Sequence, residues 1–129
     1  VMNTYVSNQR LLKVAKILDT VPEEKFNLSM WRNSCGTVAC AVGWAASDPG
    51  FKRAGFSLRK HESSIWGNLH VPHFGEVNHW TAVEKFFGLS REQAEYLFLH
   101  LSYSGYDATP REVAERIRNF VKNGRQVES

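Results

Sequence analysis

The segment Cys35-Gly36-Thr37-Val38-Ala39-Cys40-Ala41-Val42-Gly43-Trp44-Ala45-Ala46 decides the fold of this chain. Wound as a helix, it is apolar on nearly every side. Such a helix lies in a core rather than on a surface. We therefore predict a central buried helix over residues 37–47. It must end before Pro49, because the residue preceding a proline avoids helical geometry.

Apolar periodicity predicts further helices on both sides of this segment. We place them at residues 8–19, 77–87, 91–101 and 110–122, which gives about five helices in all. Ser7 or Asn8 is the expected N-cap of the first. Gly88 should end the helix at 77–87. Capping boxes that begin at Ser90 and Thr109 should open the helices at 91–101 and 110–122. The fold class is therefore mainly α.

Residues 51–75 have no helical period. We interpret them as irregular structure or a short β-hairpin, with residues 56–58 and 69–71 paired across the polar stretch 60–64. If this hairpin forms, the fold is α+β. We see no domain boundary, so residues 1–129 are predicted to form a single domain.

Composition limits the classes of function. The chain has 43% hydrophobic residues and a net charge of +3, from 16 basic and 13 acidic side chains. The charges are interspersed, and no basic stripe typical of a dedicated nucleic-acid domain is obvious. The longest apolar run, 38–46, is too short to span a membrane. Two cysteines without a signal peptide predict a cytoplasmic protein with reduced thiols, and we expect no cofactor.

Several segments together resemble a known group of proteins. They are Phe26-Asn27-Leu28-Ser29-Met30-Trp31, the stretch Cys35-Gly36-Thr37-x-Ala39-Cys40-x-x-Gly43-Trp44-Ala45, Phe86-Phe87-Gly88-Leu89-Ser90, Leu97-Phe98, and Thr109-Pro110-Arg111-Glu112-Val113-Ala114-Glu115-Arg116-Ile117. This combination resembles a family of small uncharacterised proteins of bacteria and their phages. The resemblance covers residues 10–121 and implies kinship with that family, but no mechanism.

A thiol enzyme is one candidate function. Cys35 precedes a predicted helix N-terminus, where the helix dipole lowers the pKa of a thiol. His70 or His73 would act as the base, with Glu76 or Asn78 orienting it, as in papain-like and transglutaminase-like sites. The separation from Cys35 to His70 is short for that architecture, and few strands are predicted. We therefore favour a role for both cysteines as small buried residues.

A metal site is a second candidate. Cys35 and Cys40 together with His70 and His73, or with His79, offer the ligands that zinc prefers. Positions five apart on a helix project about 140° from each other, so the two cysteines would not converge unless Cys35 lies off the helix. We therefore predict no metal site, and regard a disulfide between the two cysteines as a strained alternative.

A helix-turn-helix over residues 82–101 is the candidate for DNA binding, because a turn glycine separates two predicted helices. Glu84 occupies the position that usually holds a small residue. The would-be recognition helix carries Glu92 and Glu95 beside Arg91, and would therefore meet phosphates with net negative charge. An ordinary αα-hairpin explains the same residues.

A binding surface is the remaining candidate. Two tyrosines bracket a glycine in the loop 103–107, and tyrosine is enriched in protein contacts. Basic residues of the last helix, including Arg116, are assigned to a solvated face. The proposed binding residues are Trp66, His70, His73, His79, Tyr103 and Tyr106. We thus favour a non-enzymatic binding or regulatory domain of bacterial or phage origin, with a protein as the expected partner and DNA as the alternative.

The buried-helix interpretation makes a prediction about Gly43. Ala39, Gly43 and Ala46 form a strip of small residues that lets another backbone approach closely, and this explains a glycine that costs a helix about 1 kcal/mol. Gly43→Leu should overpack this strip and destabilise the fold by about 1–3 kcal/mol or more. Cys40→Ala should be mild. A soluble Gly43→Leu protein with an unchanged melting temperature would refute the interpretation.

Overall fold

The computed structural model describes residues 3–27, 39–63, 67–99, 102–103 and 108–127. The fold is mainly α with a small antiparallel sheet. In chain order, the elements are α1 (Thr4–Leu18), a 3-10 turn (Glu23–Lys25), α2 (Ala41–Ala46), α3 (Pro49–Arg53), β1 (Phe56–Ser63), β2 (Gly67–Phe74), β3 (Val77–Asn78), α4 (His79–Phe87), α5 (Arg91–Phe98) and α6 (Pro110–Lys122). Within the described residues, no helix is long and apolar enough to cross a membrane.

Helix α1 begins four residues before the predicted start. Asn3 is its N-cap, and the Asn3 side chain accepts a hydrogen bond from the Tyr5 amide at 2.7 Å. Ser7, which we expected at the solvated helix end, is instead buried in the second turn. The buried face of α1 packs against α6. Its apolar members, at helical spacing, are Leu11, Val14, Ala15 and Leu18.

The cysteine-containing segment forms a shorter helix than predicted. Cys40 is the N-cap of α2, and all residues of α2 except Trp44 are buried. Residues 37 and 38, where we placed the helix start, lie outside the described residues. Before α2, the Ala39 amide donates a hydrogen bond to the Lys25 carbonyl at 3.2 Å, in a short parallel bridge. That this helix is the centre of the fold stays a prediction.

Helix α3 was not predicted. The Asp48 side chain accepts a hydrogen bond from the Phe51 amide at 3.0 Å, and Pro49 follows at the first helical position. An acidic N-cap before proline is a strong start signal, because the cap satisfies a free amide and proline needs none. The proline that ends the preceding helix therefore also begins the next one.

The region 51–75 contains a β-hairpin, which is longer than the one we considered. β1 and β2 pair antiparallel from Phe56 opposite Phe74 to Ser63 opposite Gly67. β3 adds two residues beside the end of β2. Pro72 lies inside β2 opposite Leu58. It lies outside the two-residue β3 ladder, so its missing amide hydrogen interrupts no second ladder.

The capping signals of the last third are confirmed. Gly88 ends α4 in the left-handed region at φ 67°, a conformation that favours glycine. Capping boxes at Ser90 and Thr109 open α5 and α6. α4 begins two residues later than predicted, because Val77 and Asn78 form β3.

A cluster of phenylalanines joins the helices to the sheet. Phe56 of β1 stacks on Phe86 of α4 with ring centroids 4.5 Å apart. Phe51 and Phe74 meet Phe86 edge-on at 5.0 and 5.2 Å, and Phe87 meets Phe86 at 4.9 Å. Such pairs add about 0.5–1.5 kcal/mol each beyond the area they bury.

The backbone carbonyls at the C-terminal end of α4 are bonded by side chains from both ends of the chain. The buried Ser7 hydroxyl donates to the Phe87 carbonyl, and Arg10 Nη1 donates to the Phe86 carbonyl at 2.6 Å. Arg125 Nη2 donates to the Gly88 carbonyl at 2.9 Å. Carbonyls at a helix C-terminus have no partner within the helix, so these bonds satisfy one buried and two partly buried acceptors.

Removing the Ser7 hydroxyl should destabilise the fold. Ser7→Ala leaves the buried Phe87 carbonyl without this donor, which costs about 1–3 kcal/mol. The matched control is Thr4→Ala, at an exposed position of the same helix, which should stay within about 0.5 kcal/mol of wild type. Urea unfolding measures both. Equal free energies of unfolding for the two variants would contradict the capping role of Ser7.

Candidate functional site

The structure divides the predicted binding residues between two places. His70 and His73 lie on β2 and His79 begins α4, whereas Tyr103 lies between α5 and α6. The remaining predicted residues, Cys35, Trp66 and Tyr106, lie outside the described residues.

The histidines of β2 do not form one set. Residues three apart on a strand point to opposite faces of a sheet, so His70 and His73 face in different directions. His73 is paired across the β2–β3 ladder with Asn78, one of the two predicted orienting residues; Glu76, the other, is exposed in the turn. His79 is exposed and has φ 54°, a left-handed conformation uncommon for a residue with a side chain. A thiol site would therefore use either His70 or His73, but not both.

Cys40 has the environment of an inert thiol. It is buried, and its sulfur accepts a hydrogen bond from the Gly43 amide at 3.4 Å. Burial raises the pKa of the Cys40 thiol from 9.0 to about 11, although nearby amides oppose this shift. Among the described residues, no group of three or more histidine, cysteine or acidic side chains could hold a metal ion.

The α4–α5 pair has the turn of the predicted helix-turn-helix, but Arg91 of this pair already binds a carboxylate within the protein. Arg91 Nε donates to Glu84 Oε2 at 2.6 Å, so the arginine of α5 is paired with the glutamate of α4. Gln93 Nε2 donates to the Arg125 carbonyl at 3.2 Å, so the C-terminal segment lies against α5. α5 ends at Phe98, short of the predicted residue 101.

The end of α5 builds the most elaborate polar arrangement in the described part of the chain. Ser102 Oγ donates to the carbonyls of Tyr96 and Leu99 at 2.9 and 2.8 Å. Arg116 Nη1 donates to the carbonyls of Tyr96 and Ser102, both at 2.9 Å. The positive charge of Arg116 thus lies at the C-terminal, negative end of the α5 dipole.

Two tyrosine rings hold the same guanidinium. The Arg116 Cζ atom lies 3.7 Å from the ring centroid of Tyr103 and 4.5 Å from that of Tyr96. The Tyr103 hydroxyl donates to the Leu97 carbonyl at 2.7 Å, which fixes its ring. Burial raises the pKa of Tyr103 above its usual value, while the charge of Arg116 opposes this shift. Tyr103 therefore stays a neutral hydrogen-bond donor at physiological pH.

A groove of about 270 Å³ opens beside this stack. We call it the tyrosine–arginine groove, and its lining residues are Tyr96, Tyr103, Glu112, Glu115, Arg116 and Asn119. Two carboxylates and one guanidinium give it mixed charge. Glu112 is engaged in the capping box of α6, whereas Glu115 is exposed on the next turn. The groove thus offers the half-buried Tyr96 ring and Arg116 guanidinium beside the accessible Glu115 carboxylate, whereas the Tyr103 ring is largely buried.

Tyr103 is the one groove residue that the sequence predicts to be a binding residue. The loop position of this tyrosine favours a binding role, whereas the pattern of α6 predicts a solvated face for Arg116. That assignment was wrong, because Arg116 is half-buried between two rings. Its position just before the buried Ile117, at the edge of the apolar stripe of α6, was the available signal. Tyr96 gave no signal of its own.

Comparison with known proteins identifies no relative. No protein-family model, no curated protein and no solved structure matches the chain. The resemblance to the bacterial and phage family therefore stays a prediction.

The environment of Cys40 predicts slow thiol chemistry. In a Cys35→Ser variant, Cys40 is the only thiol. A pKa near 11 leaves roughly a hundredth of the thiolate present at a pKa of 9, and burial blocks access further. Alkylation by iodoacetamide at pH 7.5, followed by mass spectrometry, should be at least about 100-fold slower in the folded protein than in denaturant. Equal rates in the two states would show that Cys40 is accessible.

Proposed function

We propose that this protein is a non-enzymatic binding and regulatory domain that acts by contact with another protein through the tyrosine–arginine groove. The observation that carries the proposal is the stack of Arg116 between Tyr96 and Tyr103 at the edge of an open groove. The bacterial or phage origin suggested by the sequence resemblance belongs to the same proposal.

The chemistry of the groove supports a protein partner. Tyrosine and arginine are the side chains enriched where protein interfaces concentrate their binding energy. Immobilising a flexible arginine on binding usually costs affinity. Here Arg116 is already fixed by two backbone carbonyls and two rings, so the groove is preorganised.

The two alternatives have weaker support. A DNA-binding role for α4 and α5 would use Arg91, whose guanidinium is paired with Glu84. A cysteine-dependent hydrolase or transferase would use Cys35 with one of His70 and His73, which lie on opposite faces of β2. For neither alternative do the described residues include a surface whose side chains are held by as many contacts as Arg116 is in the tyrosine–arginine groove.

Reversing one charge in the groove tests the proposal. Glu115→Arg places a long cation where the groove is open, and should block a partner without disturbing the core, because Glu115 is exposed. The immobilised wild-type protein should capture one stoichiometric protein from a lysate of its native host. Quantitative mass spectrometry should show at least about a tenfold loss of that protein with Glu115→Arg, equivalent to about 1.4 kcal/mol.

The matched control is Glu92→Arg, the same change at an exposed position of α5 outside the groove. It should retain the partner, and both variants should melt within a few degrees of wild type. Equal retention by Glu115→Arg and wild type would refute the groove as the contact surface. Enrichment of no protein above an empty-resin control would refute the proposed function itself.

A further inference from the structure

Two segments of the chain contain basic but no acidic residues. Residues 1–18 and 49–61 hold seven lysines and arginines together, with no aspartate or glutamate. By contrast, residues 62–129 hold seven basic and nine acidic residues. Along the sequence the charges look interspersed, because acidic residues separate the two segments. Whether the two segments form one positively charged surface depends on how close the fold brings them.

The structure brings these segments into contact at α1 and α3. Lys13 Nζ of α1 lies 2.9 Å from Asp48 Oδ2, the N-cap of α3, and 4.8 Å from the ring centroid of Phe51. Lys13 Nζ and Arg53 Nη2 both lie within 4 Å of the point where a side chain at Gly50 would begin. Two cationic groups from different segments therefore lie side by side.

Further cations extend this surface. Lys16 is one helical turn from Lys13 on the exposed side of α1, and Lys52 is exposed beside Arg53 on α3. We call Lys13, Lys16, Lys52 and Arg53 the basic surface. Tyr5, on the same side of α1, is 69% exposed and adds an accessible aromatic ring.

The acidic residues beside the basic surface are already engaged. Asp48 binds Lys13; partial burial would raise its pKa, but the hydrogen bonds from Lys13 and the Phe51 amide hold that pKa below its usual value. Asp19, just after α1, pairs with Arg118 of α6, and the hydrogen bond from Arg118 lowers the pKa of Asp19. Asp48 thus neutralises Lys13, and the exposed Lys16, Lys52 and Arg53 carry the positive charge of the basic surface at neutral pH.

We infer that the basic surface of α1 and α3 binds the phosphodiester backbone of nucleic acid without reading its sequence. Lysine and arginine neutralise backbone phosphates, and the release of counterions drives such binding. The exposed ring of Tyr5 offers a base of a single strand a surface on which to stack. This surface is separate from the tyrosine–arginine groove, so the inference goes beyond the proposed function and does not depend on it.

Nucleic acid fits this surface better than a membrane or a protein. A helix that lies on a membrane inserts an apolar face, whereas the apolar face of α1 is buried against the core. Protein interfaces are depleted in lysine, which supplies three of the four cations here. The α4–α5 turn is also a poorer nucleic-acid surface, because its three glutamates, Glu84, Glu92 and Glu95, outnumber its two cations, Lys85 and Arg91.

Fluorescence anisotropy with a labelled 20-base-pair duplex and a labelled 20-nucleotide oligothymidine tests the inference. Affinity should fall with rising KCl, with a log–log slope of about −2 to −4 for duplex if two to four phosphates are neutralised. The double variant Lys16→Glu with Lys52→Glu should bind at least about tenfold more weakly at 50 mM KCl, with a shallower slope. Oligothymidine should also bind more weakly to Tyr5→Ala.

The matched control is Lys85→Glu with Lys122→Glu. All four lysines are exposed and lie in the last turn of their helices, so both doubles change net charge and helix-end electrostatics alike. The control should bind less than about threefold more weakly than wild type. Equal losses in the two doubles would assign binding to net charge alone and overturn the inference.

Three further outcomes would overturn it. The first is no salt-dependent binding of either oligonucleotide at 25 mM KCl. The second is loss of binding with Arg91→Glu but not with the α1–α3 double, which would assign binding to α5. The third is that the protein co-sediments with vesicles of phosphatidylserine and phosphatidylcholine but binds neither oligonucleotide. None of these outcomes bears on the protein captured through the groove, so the two proposals fail separately.

Discussion

The structure depends on how the C-terminal end of α4 is closed. Phe86 and Phe87 place their rings in the aromatic cluster, and the carbonyl of Phe87 accepts its hydrogen bond in a buried position. An unpartnered carbonyl there would cost about 1–3 kcal/mol. Ser7, Arg10 and Arg125 supply the missing donors from the first helix and the C-terminal segment. The helix end that carries two rings of the aromatic cluster is therefore closed by side chains from both ends of the chain.

At the end of α5, side chains from outside the helix likewise donate to its last carbonyls, and these side chains form the candidate site. Arg116, Ser102 and Tyr103 close the carbonyls of the last turn from outside the helix. At α4 the donors sit against the core, but at α5 they lie beside an open groove. A requirement of the fold thus fixes Arg116 against two aromatic rings at the edge of the groove. The entropy cost of ordering these groups is therefore incurred on folding rather than on binding.

What the sequence predicted correctly is local. Gly88, the box opened by Ser90 and the box opened by Thr109 act within one helical turn, so their residues identify helix ends without knowledge of the fold. β2 is less visible, because Pro72 interrupts its pattern and is tolerated only where no second ladder crosses it. α3 was not predicted although its Asp48–Pro49 start is local, because a proline after an apolar helical segment also marks the end of that segment.

The candidate surfaces were less predictable than the helices, because each joins residues distant in sequence. Arg116 meets Tyr96 across twenty positions, and Lys13 meets Asp48 across thirty-five. The chemistry of the side chains explains how the two surfaces differ. Arginine presents a rigid fork suited to several carbonyls, so Arg10, Arg116 and Arg125 hold helix ends. Lysine is a strongly hydrated point charge on a flexible stem, so Lys16 and Lys52 stay in solvent, where a phosphate can reach them.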